Sequence, residues 1–251
     1  MSGCNTSVGD EGFDRRRAVP NMEESRVVAS VDYSGGAVVA NERPRWRGAS
    51  HNLAFYAAVP VGFVLTMEAS TPTARVAAIL FAFSVVAMFG TSTLFHRVSW
   101  GRFAKSRMAV LDHAMIYGLI AGTYAPFALL VLRAQWGIPV LTLVCAGCAA
   151  ATAAKVVWRN PPTWVAAATC LGLGWIALLV FPQIAARIGL GGASLLAAGG
   201  IAYSAGAVIY ALKRPDPLPR TFGYHEVFHA LVVVAVACQY TVVAFFVLPR
   251  A

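Results

Sequence analysis

Seven apolar segments follow one another along the chain, separated by short polar connections. They cover about 50–69, 76–96, 109–131, 137–156, 163–182, 192–212 and 224–248. Each has roughly the 17–25 residues that a helix needs to cross the hydrocarbon core of a bilayer. Pro126, inside the third segment, predicts a kink there because proline breaks the helical hydrogen-bond ladder. The pattern predicts an all-α polytopic membrane protein, a seven-helix bundle over residues 43–251.

The first 42 residues are of a different kind. They are polar, rich in Gly, Ser and charge, and contain no apolar run of more than a few residues. A secretory signal needs an apolar core of about 7–15 residues, so none is predicted here. We expect residues 1–42 to form a disordered cytoplasmic tail.

Composition and charge support a membrane location. The chain is 58% hydrophobic and 12% charged, with a net charge of +9, whereas soluble domains carry about 25% charged residues. Basic residues concentrate in alternate connections: Arg43, Arg45, Arg47, Arg97, Arg102, Lys105, Arg107, Lys155, Arg159, Lys213, Arg214 and Arg220 against Arg75, Arg133, Arg187 and Arg250. This bias predicts a multi-pass protein of the inner (plasma) membrane with a cytoplasmic N-terminus and an external C-terminus. Basic loops of this kind face anionic lipid, and no aromatic-plus-basic nucleic-acid motif accompanies them.

The predicted topology places every histidine in the cytoplasmic half of the bilayer. His51 opens the first segment, His96 closes the second, His113 opens the third, and His225 and His229 open the seventh. Asp112, one of few acids outside the tail, lies at the same depth. Ionisable groups inside a membrane are costly and tend to mark function, so this clustering predicts a functional site.

The spacing of these residues favours a metal site. Ser92 and His96 are four residues apart on one helix face, and so are His225 and His229. Three neutral imidazoles with one open position form the ligand set of a catalytic zinc ion. Asp112 is the natural partner for a metal-bound water. The sequence His225-Glu-Val-Phe-His229 also matches the H-E-x-x-H motif of soluble zinc proteases. The apolar run after it, however, places the histidine pair at the start of a membrane helix.

Together these motifs resemble the haemolysin III family, the bacterial branch related to the adiponectin and progestin receptors. The matching residues are Ser92-x-x-x-His96, Asp112, Ala121-Gly-Thr-Tyr-Ala-Pro-Phe127 and His225-x-x-x-His229. The resemblance implies a zinc ion held by the second-segment histidine and the two seventh-segment histidines, with Asp112 contacting its water and Ser92 nearby. It also implies kinship with the alkaline ceramidases, hence lipid amidase activity. The family's first motif usually has a Glu and an Asn before its histidine, and here only His51 is kept.

Each polar residue also has a simpler interpretation that stays open at this point. The Ser92 hydroxyl can bond to a carbonyl one turn back. His51 and His113 fit interfacial, supporting or packing positions better than ligand positions. Glu226 is expected to be a solvated interfacial acid, about 100° around the helix from its neighbouring histidine. Asp112 can pair with Arg107 or His113.

Three functions follow from this reading. The first is an intramembrane zinc hydrolase acting on an amide or ester bond of a lipid at the inner leaflet. The second is a receptor or sensor with a structural zinc site and a lipid-like ligand. The third, a pore-forming cytolysin, is disfavoured because the fourth to sixth segments carry almost no polar residues. A retinal protein is excluded because the seventh segment has no lysine for a Schiff base. The oligomeric state is left open.

Overall fold

Seven α-helices make up most of the computed structural model, which describes residues 44–158 and 161–251. They are α1 (Ala49–Met67), α2 (Pro72–Arg97), α3 (Arg102–Pro126), α4 (Ala134–Val157), α5 (Thr163–Trp175), α6 (Phe181–Leu212) and α7 (Tyr224–Val242). No strand is present in these two ranges. The all-α prediction is therefore confirmed for the described part, and the tail predicted at 1–42 lies outside it.

Six of these helices, α5 excepted, are long and apolar enough to cross a membrane when their continuations are included. α5 has 13 residues and passes into a 3₁₀ turn, Ile176–Leu179, where the sequence predicted one continuous span over 163–182. Tyr124 explains the change. Its hydroxyl donates to the carbonyls of Leu173 and Gly174 (3.0 and 2.7 Å) and accepts from the amide of Ala177 (2.8 Å). A side chain thus satisfies backbone groups that an uninterrupted helix would pair internally.

Two other helices change type near their C-terminal ends. α3 becomes a π-helical turn, Phe127–Val131, directly after Pro126. Proline has no amide to donate, so the regular i to i−4 ladder fails there, and the predicted kink takes the form of this change. α7 likewise continues as a π-helical turn over Val243–Val247.

α6 is longer than the predicted segment at 192–212. It starts at Phe181 and is broken at Gly189, whose φ of 77° and ψ of 172° are non-helical. Glycine adopts a positive φ without steric cost, whereas other residues are strained there. The break divides α6 into a short first part and a long second part.

The helix order brings one end of the bundle together. α2 packs between α1 and α3, and α7 packs against α6 and α1. Close approach is possible where α3 has Gly122, because a Cβ there would collide with the Ser84 side chain of α2. Contacts between His51 and Ser92, and between His96 and both Asp112 and His225, show that the starts of α1, α3 and α7 meet the end of α2.

Candidate metal centre

The start of α7 is capped by two carboxylate side chains. Gly223 precedes the helix, and its amide donates to Oε2 of Glu226 (2.9 Å). The amide of Tyr224 donates to Oδ1 of Asp216 (2.9 Å). These bonds satisfy amides that the first helical turn leaves free. The cap therefore defines where α7 begins, and His225 and His229 follow in its first two turns.

Three predicted ligand residues come together across two helices. His96 from α2 and His225 and His229 from α7 each offer a ring nitrogen, and these atoms all lie within 4.8 Å of one another. The ring centroids of the α7 pair are 4.3 Å apart, and those of His96 lie 4.9 and 5.1 Å from them. They are the one group of three or more metal-type side chains within residues 44–158 and 161–251.

The donor set fits a zinc ion. Nitrogens bound to one tetrahedral zinc at about 2.0–2.1 Å lie roughly 3.4 Å apart, so small ring rotations bring these atoms to bonding separation. Nδ1 of His225 and Nδ1 of His229 are buried and have no hydrogen-bond partner among the described residues. Buried polar atoms without a partner are costly. A metal ion would draw one nitrogen of each ring into coordination, and zinc binding at these three residues stays a prediction.

Both predicted catalytic residues lie beside this group. Oδ2 of Asp112 on α3 is 3.9 Å from Nε2 of His96, and its side chain is 14% exposed. Ser92, one turn before His96 on α2, is 2% exposed. Its hydroxyl is 2.9 Å from Nδ1 of His51 and also interacts with the Asp112 carboxyl group. Ser92 is thus part of a side-chain network between helices.

The similarity to known proteins covers most of the chain. Residues 39–240 match the family model described as Haemolysin-III related. The chain belongs to the haemolysin III family. It is 29% identical over 205 residues to Hemolysin-3 of Bacillus cereus, covering 80% of this chain and 90% of that protein. It is also 29% identical over 167 residues to a Hemolysin-3 homolog of Bacillus subtilis (strain 168), covering 66% of this chain and 75% of that protein.

Family membership and the apolar helices together make this haemolysin III protein a multi-pass membrane protein. The match also spans the N-terminal stretch in which the sequence keeps only His51 of the first motif. α1, which carries His51, nevertheless lies directly against the histidine cluster.

His51 is the residue whose place the sequence did not define. It is 2% exposed, which fits the supporting or packing position among the alternatives. Its ring stacks on His229, with centroids 3.8 Å apart and planes 6° from parallel, and Phe89 meets its edge at 5.0 Å. The only available signal was its depth, which it shares with the other histidines.

Two further residues of the haemolysin III chain differ from or refine the sequence interpretation. Glu226 was expected to be a solvated interfacial acid, but it is 2% exposed and caps α7, so that prediction is wrong. The reason is that the amides at the helix start draw its carboxylate inward. His113 turns away from the cluster: Nδ1 is 2.8 Å from the carbonyl of Ala109 and Nε2 is 3.3 Å from the Tyr210 hydroxyl.

A short segment before α1 closes over the end of α2. Gly48 has a φ of 74°, and a Cβ built there would lie 2.7 Å from Cβ of His96. The amides of Arg45 and Trp46 donate to the carbonyls of Arg220 and Thr221 (3.1 and 3.2 Å), in the loop that precedes α7. The segment from Pro44 to Gly48 thus links the two helices that carry the histidines. No sequence pattern pointed to it.

A cavity of about 360 Å³ extends from the polar cluster. Its polar lining includes His229 and Asp112 near the start of α7, and it extends to Gln239 on the same helix. These α7 positions are ten residues apart, about 15 Å along the axis. Most of the remaining lining is apolar and comes from α3, α5, α6 and α7. The site therefore joins a polar end to a long apolar chamber.

Proposed function

We propose that this protein is a zinc-dependent hydrolase that cleaves an amide or ester bond of a lipid within the membrane, at the inner leaflet. The observation that carries the proposal is the position of the histidine cluster, with Asp112 and Ser92 beside it, at one end of an apolar cavity. A hydrolase for a lipid needs a polar reaction centre and an apolar site for the chain in one pocket.

His96, His225 and His229 would hold the ion. When bound, zinc supplies Lewis-acid chemistry and lowers the pKa of a coordinated water towards about 7. Asp112 has the position of a general base, because its carboxylate faces the cluster and is partly open to the cavity. Ser92 orients that carboxylate through its hydroxyl. The histidines, Ser92 and Asp112 are largely shielded from bulk water, and this strengthens the electrostatic interactions of the Asp112 carboxylate.

The cavity supports a lipid as the substrate. Its apolar walls are provided by side chains such as Ile116, Leu171 and Leu196, and its length along α7 accommodates much of an acyl chain. A lipid entering with its acyl chain in this chamber has its linkage next to Asp112 and the histidines. The cytoplasmic side follows from the distribution of basic residues among the connections.

The topology proposed with this function has seven crossings, the N-terminus in the cytoplasm and the C-terminus outside. α5 and its 3₁₀ turn support a crossing despite their short length: 13 and four residues give about 28 Å at the usual rise per residue. That is close to the hydrocarbon thickness of about 30 Å. A reporter fused after Arg250 is expected to be active only if it functions outside the cytoplasm. A cytoplasmic reporter signal would contradict the topology and the leaflet.

The function is tested with purified protein in detergent or nanodiscs. We expect one zinc per chain by metal analysis, and release of fatty acid from at least one class of acylated lipid, abolished by chelation and restored by zinc. N-acylated sphingoid bases and phospholipids give separate amide and ester arms. Zinc-loaded protein that releases no fatty acid from either arm would contradict the hydrolase.

A lipid sensor is the second candidate, and the break in α6 favours it. Phe181 and Ile184 line the cavity from the part of α6 before Gly189, while Leu196 and Tyr203 line it from the part after. A ligand in the cavity would touch both parts and bias the angle between them. Lipid binding with no turnover, together with a change in a spectroscopic distance across Gly189, would support the sensor.

A further inference from the structure

A network of polar side chains links α1, α2 and α3. His51 on α1 and Ser92 on α2 are each 2% exposed, and 2.9 Å separates Nδ1 from Oγ. The same serine interacts with the Asp112 carboxyl group on α3. Three helices therefore meet through one imidazole, one hydroxyl and one carboxyl group.

The direction of each hydrogen bond follows from counting protons. A carboxylate only accepts, and a serine hydroxyl has a single proton. While Asp112 is ready to act as a base, Ser92 must donate its proton to that carboxylate. Its oxygen then accepts from His51, so Nδ1 of His51 must carry hydrogen. A neutral imidazole has one N–H, which leaves Nε2 unprotonated.

The ring of His51 has a second contact with the cluster. It lies parallel to the ring of His229 at a centroid distance of 3.8 Å, and Phe89 packs on its edge. Stacking on one face and an aromatic edge contact restrict rotation of both imidazoles. His51 is outside the group of three histidines whose nitrogens converge. Its contacts therefore reach the site through Ser92 and His229 and not through a ligand nitrogen of its own.

We propose that His51 is a positioning residue: as the Nδ1–H tautomer it holds the Ser92 hydroxyl towards Asp112. For the chemistry of Asp112 this rests on the proposed function, but the tautomer does not depend on hydrolysis. The departure of the first motif from the family pattern leaves this role intact, because it needs only the histidine.

The direct test is the protonation state of His51 in the intact protein. Two-bond ¹H–¹⁵N correlation spectra of ¹⁵N-histidine-labelled protein in nanodiscs distinguish the two neutral tautomers and the imidazolium. The His51 signals are assigned by their absence in His51→Asn. We expect the Nδ1–H tautomer in the wild type and a mixture of tautomers in Ser92→Ala, which removes the acceptor. An Nε2–H or doubly protonated ring, or an unchanged pattern in Ser92→Ala, would overturn the proposal.

Substitutions separate the donor from the ring. His51→Asn places an amide N–H near the position of Nδ1, His51→Gln places one near Nε2, and His51→Phe keeps an aromatic ring without a donor. We expect about one zinc per chain in all three and a loss of kcat of about 10–100-fold in the Phe and Gln variants, the usual scale for residues that orient a metal site. His51→Asn should recover most of that loss, with KM little changed.

The outcomes also separate the two proposals. Loss of the ion in every His51 variant, with His113→Asn as the control that retains it, would make His51 a ligand and overturn the positioning role. Equal kcat in the Asn and Phe variants would also overturn it. A wild-type protein that hydrolyses no lipid removes the proposed function, and the tautomer measurement then still decides the role of His51.

Discussion

The two halves of the bundle differ in where they bury polar groups. In the part of the chain that the structure describes, every buried polar or charged residue lies on α1, α2, α3 or α7: His51, Ser84, Ser92, Thr123, Glu226 and His229. α4, α5 and α6 contribute none within those ranges. Their lining of the cavity is largely apolar.

This contrast assigns the polar site to α1, α2, α3 and α7, and mainly apolar cavity walls to the other helices. Buried polar groups are costly in an apolar interior and persist where they pair with one another or with a metal. Here His51 pairs with Ser92 across two helices, and Glu226 caps the start of its own helix, α7. The other half carries the 3₁₀ turn after α5 and the break at Gly189, while the two π-helical turns follow α3 and α7. Changes in the first half should therefore alter metal binding and catalysis, and changes in the second should leave the metal content unchanged.

The largest expected effect is loss of the ion. His96→Ala, His225→Ala or His229→Ala should each lose most of the zinc after dialysis against a weak chelator, because a site with two ligands competes poorly. Metal analysis per chain is the measurement. Glu226→Gln and His113→Ala are the controls that keep the ion. If the His96→Ala protein retains one zinc per chain, the assignment of His96 as a ligand is wrong, and His51 or His113 becomes the candidate for the third ligand.

The next effect separates binding from catalysis. Asp112→Asn keeps the shape of the side chain and removes its charge, so zinc should largely stay while hydrolysis falls by about 10²–10⁴-fold, the scale for a lost general base. Turnover is measured on whichever lipid the wild type cleaves, with zinc content determined on the same sample. If turnover is unchanged, Asp112 has no part in the reaction and its assignment as the general base is wrong.

Gly48→Ala tests whether the segment before α1 positions His96. The new Cβ would lie 2.7 Å from Cβ of His96. The alanine would also have to adopt the φ of 74° that Gly48 has, a conformation that costs about 1–2 kcal/mol for a residue other than glycine. We expect weaker zinc binding and a lower unfolding midpoint. Gly101→Ala is the matched control, because Gly101 also precedes a helix, has a φ of −61° and has nothing within 4 Å of the added atom. Equal zinc affinity in the two variants would contradict the role of this segment.

The smallest effect is expected where α3 contacts the apolar half. Tyr124→Phe removes the hydroxyl that bonds to the carbonyls of Leu173 and Gly174 and to the amide of Ala177. We expect a loss of about 1 kcal/mol in stability, read as a lower thermal midpoint in detergent, with zinc content unchanged. Tyr56→Phe is the control, because Tyr56 is 69% exposed. Loss of zinc from Tyr124→Phe would show that the two halves are not independent.

The hydrophobic pattern alone was enough to predict most of the helices. α1, α2, α4 and α7 begin within four residues of their predicted starts, because about 20 consecutive apolar residues in a membrane must form a helix to satisfy their backbone. The candidate ligands could also be named from sequence. A four-residue spacing puts two side chains on one helix face, and alternating helix direction brings the end of α2 to the starts of α3 and α7.

What the sequence left open depended on contacts between distant residues. The shortening of α5 requires the hydroxyl of Tyr124, about 50 positions earlier in the chain, and the burial of Glu226 requires the amide of Gly223. The place of His51 is set by Ser92 and His229, from two other helices. Local pattern determines which face of a helix is apolar, but a buried polar side chain is placed by the partner that satisfies it, and only the tertiary structure determines which partner that is.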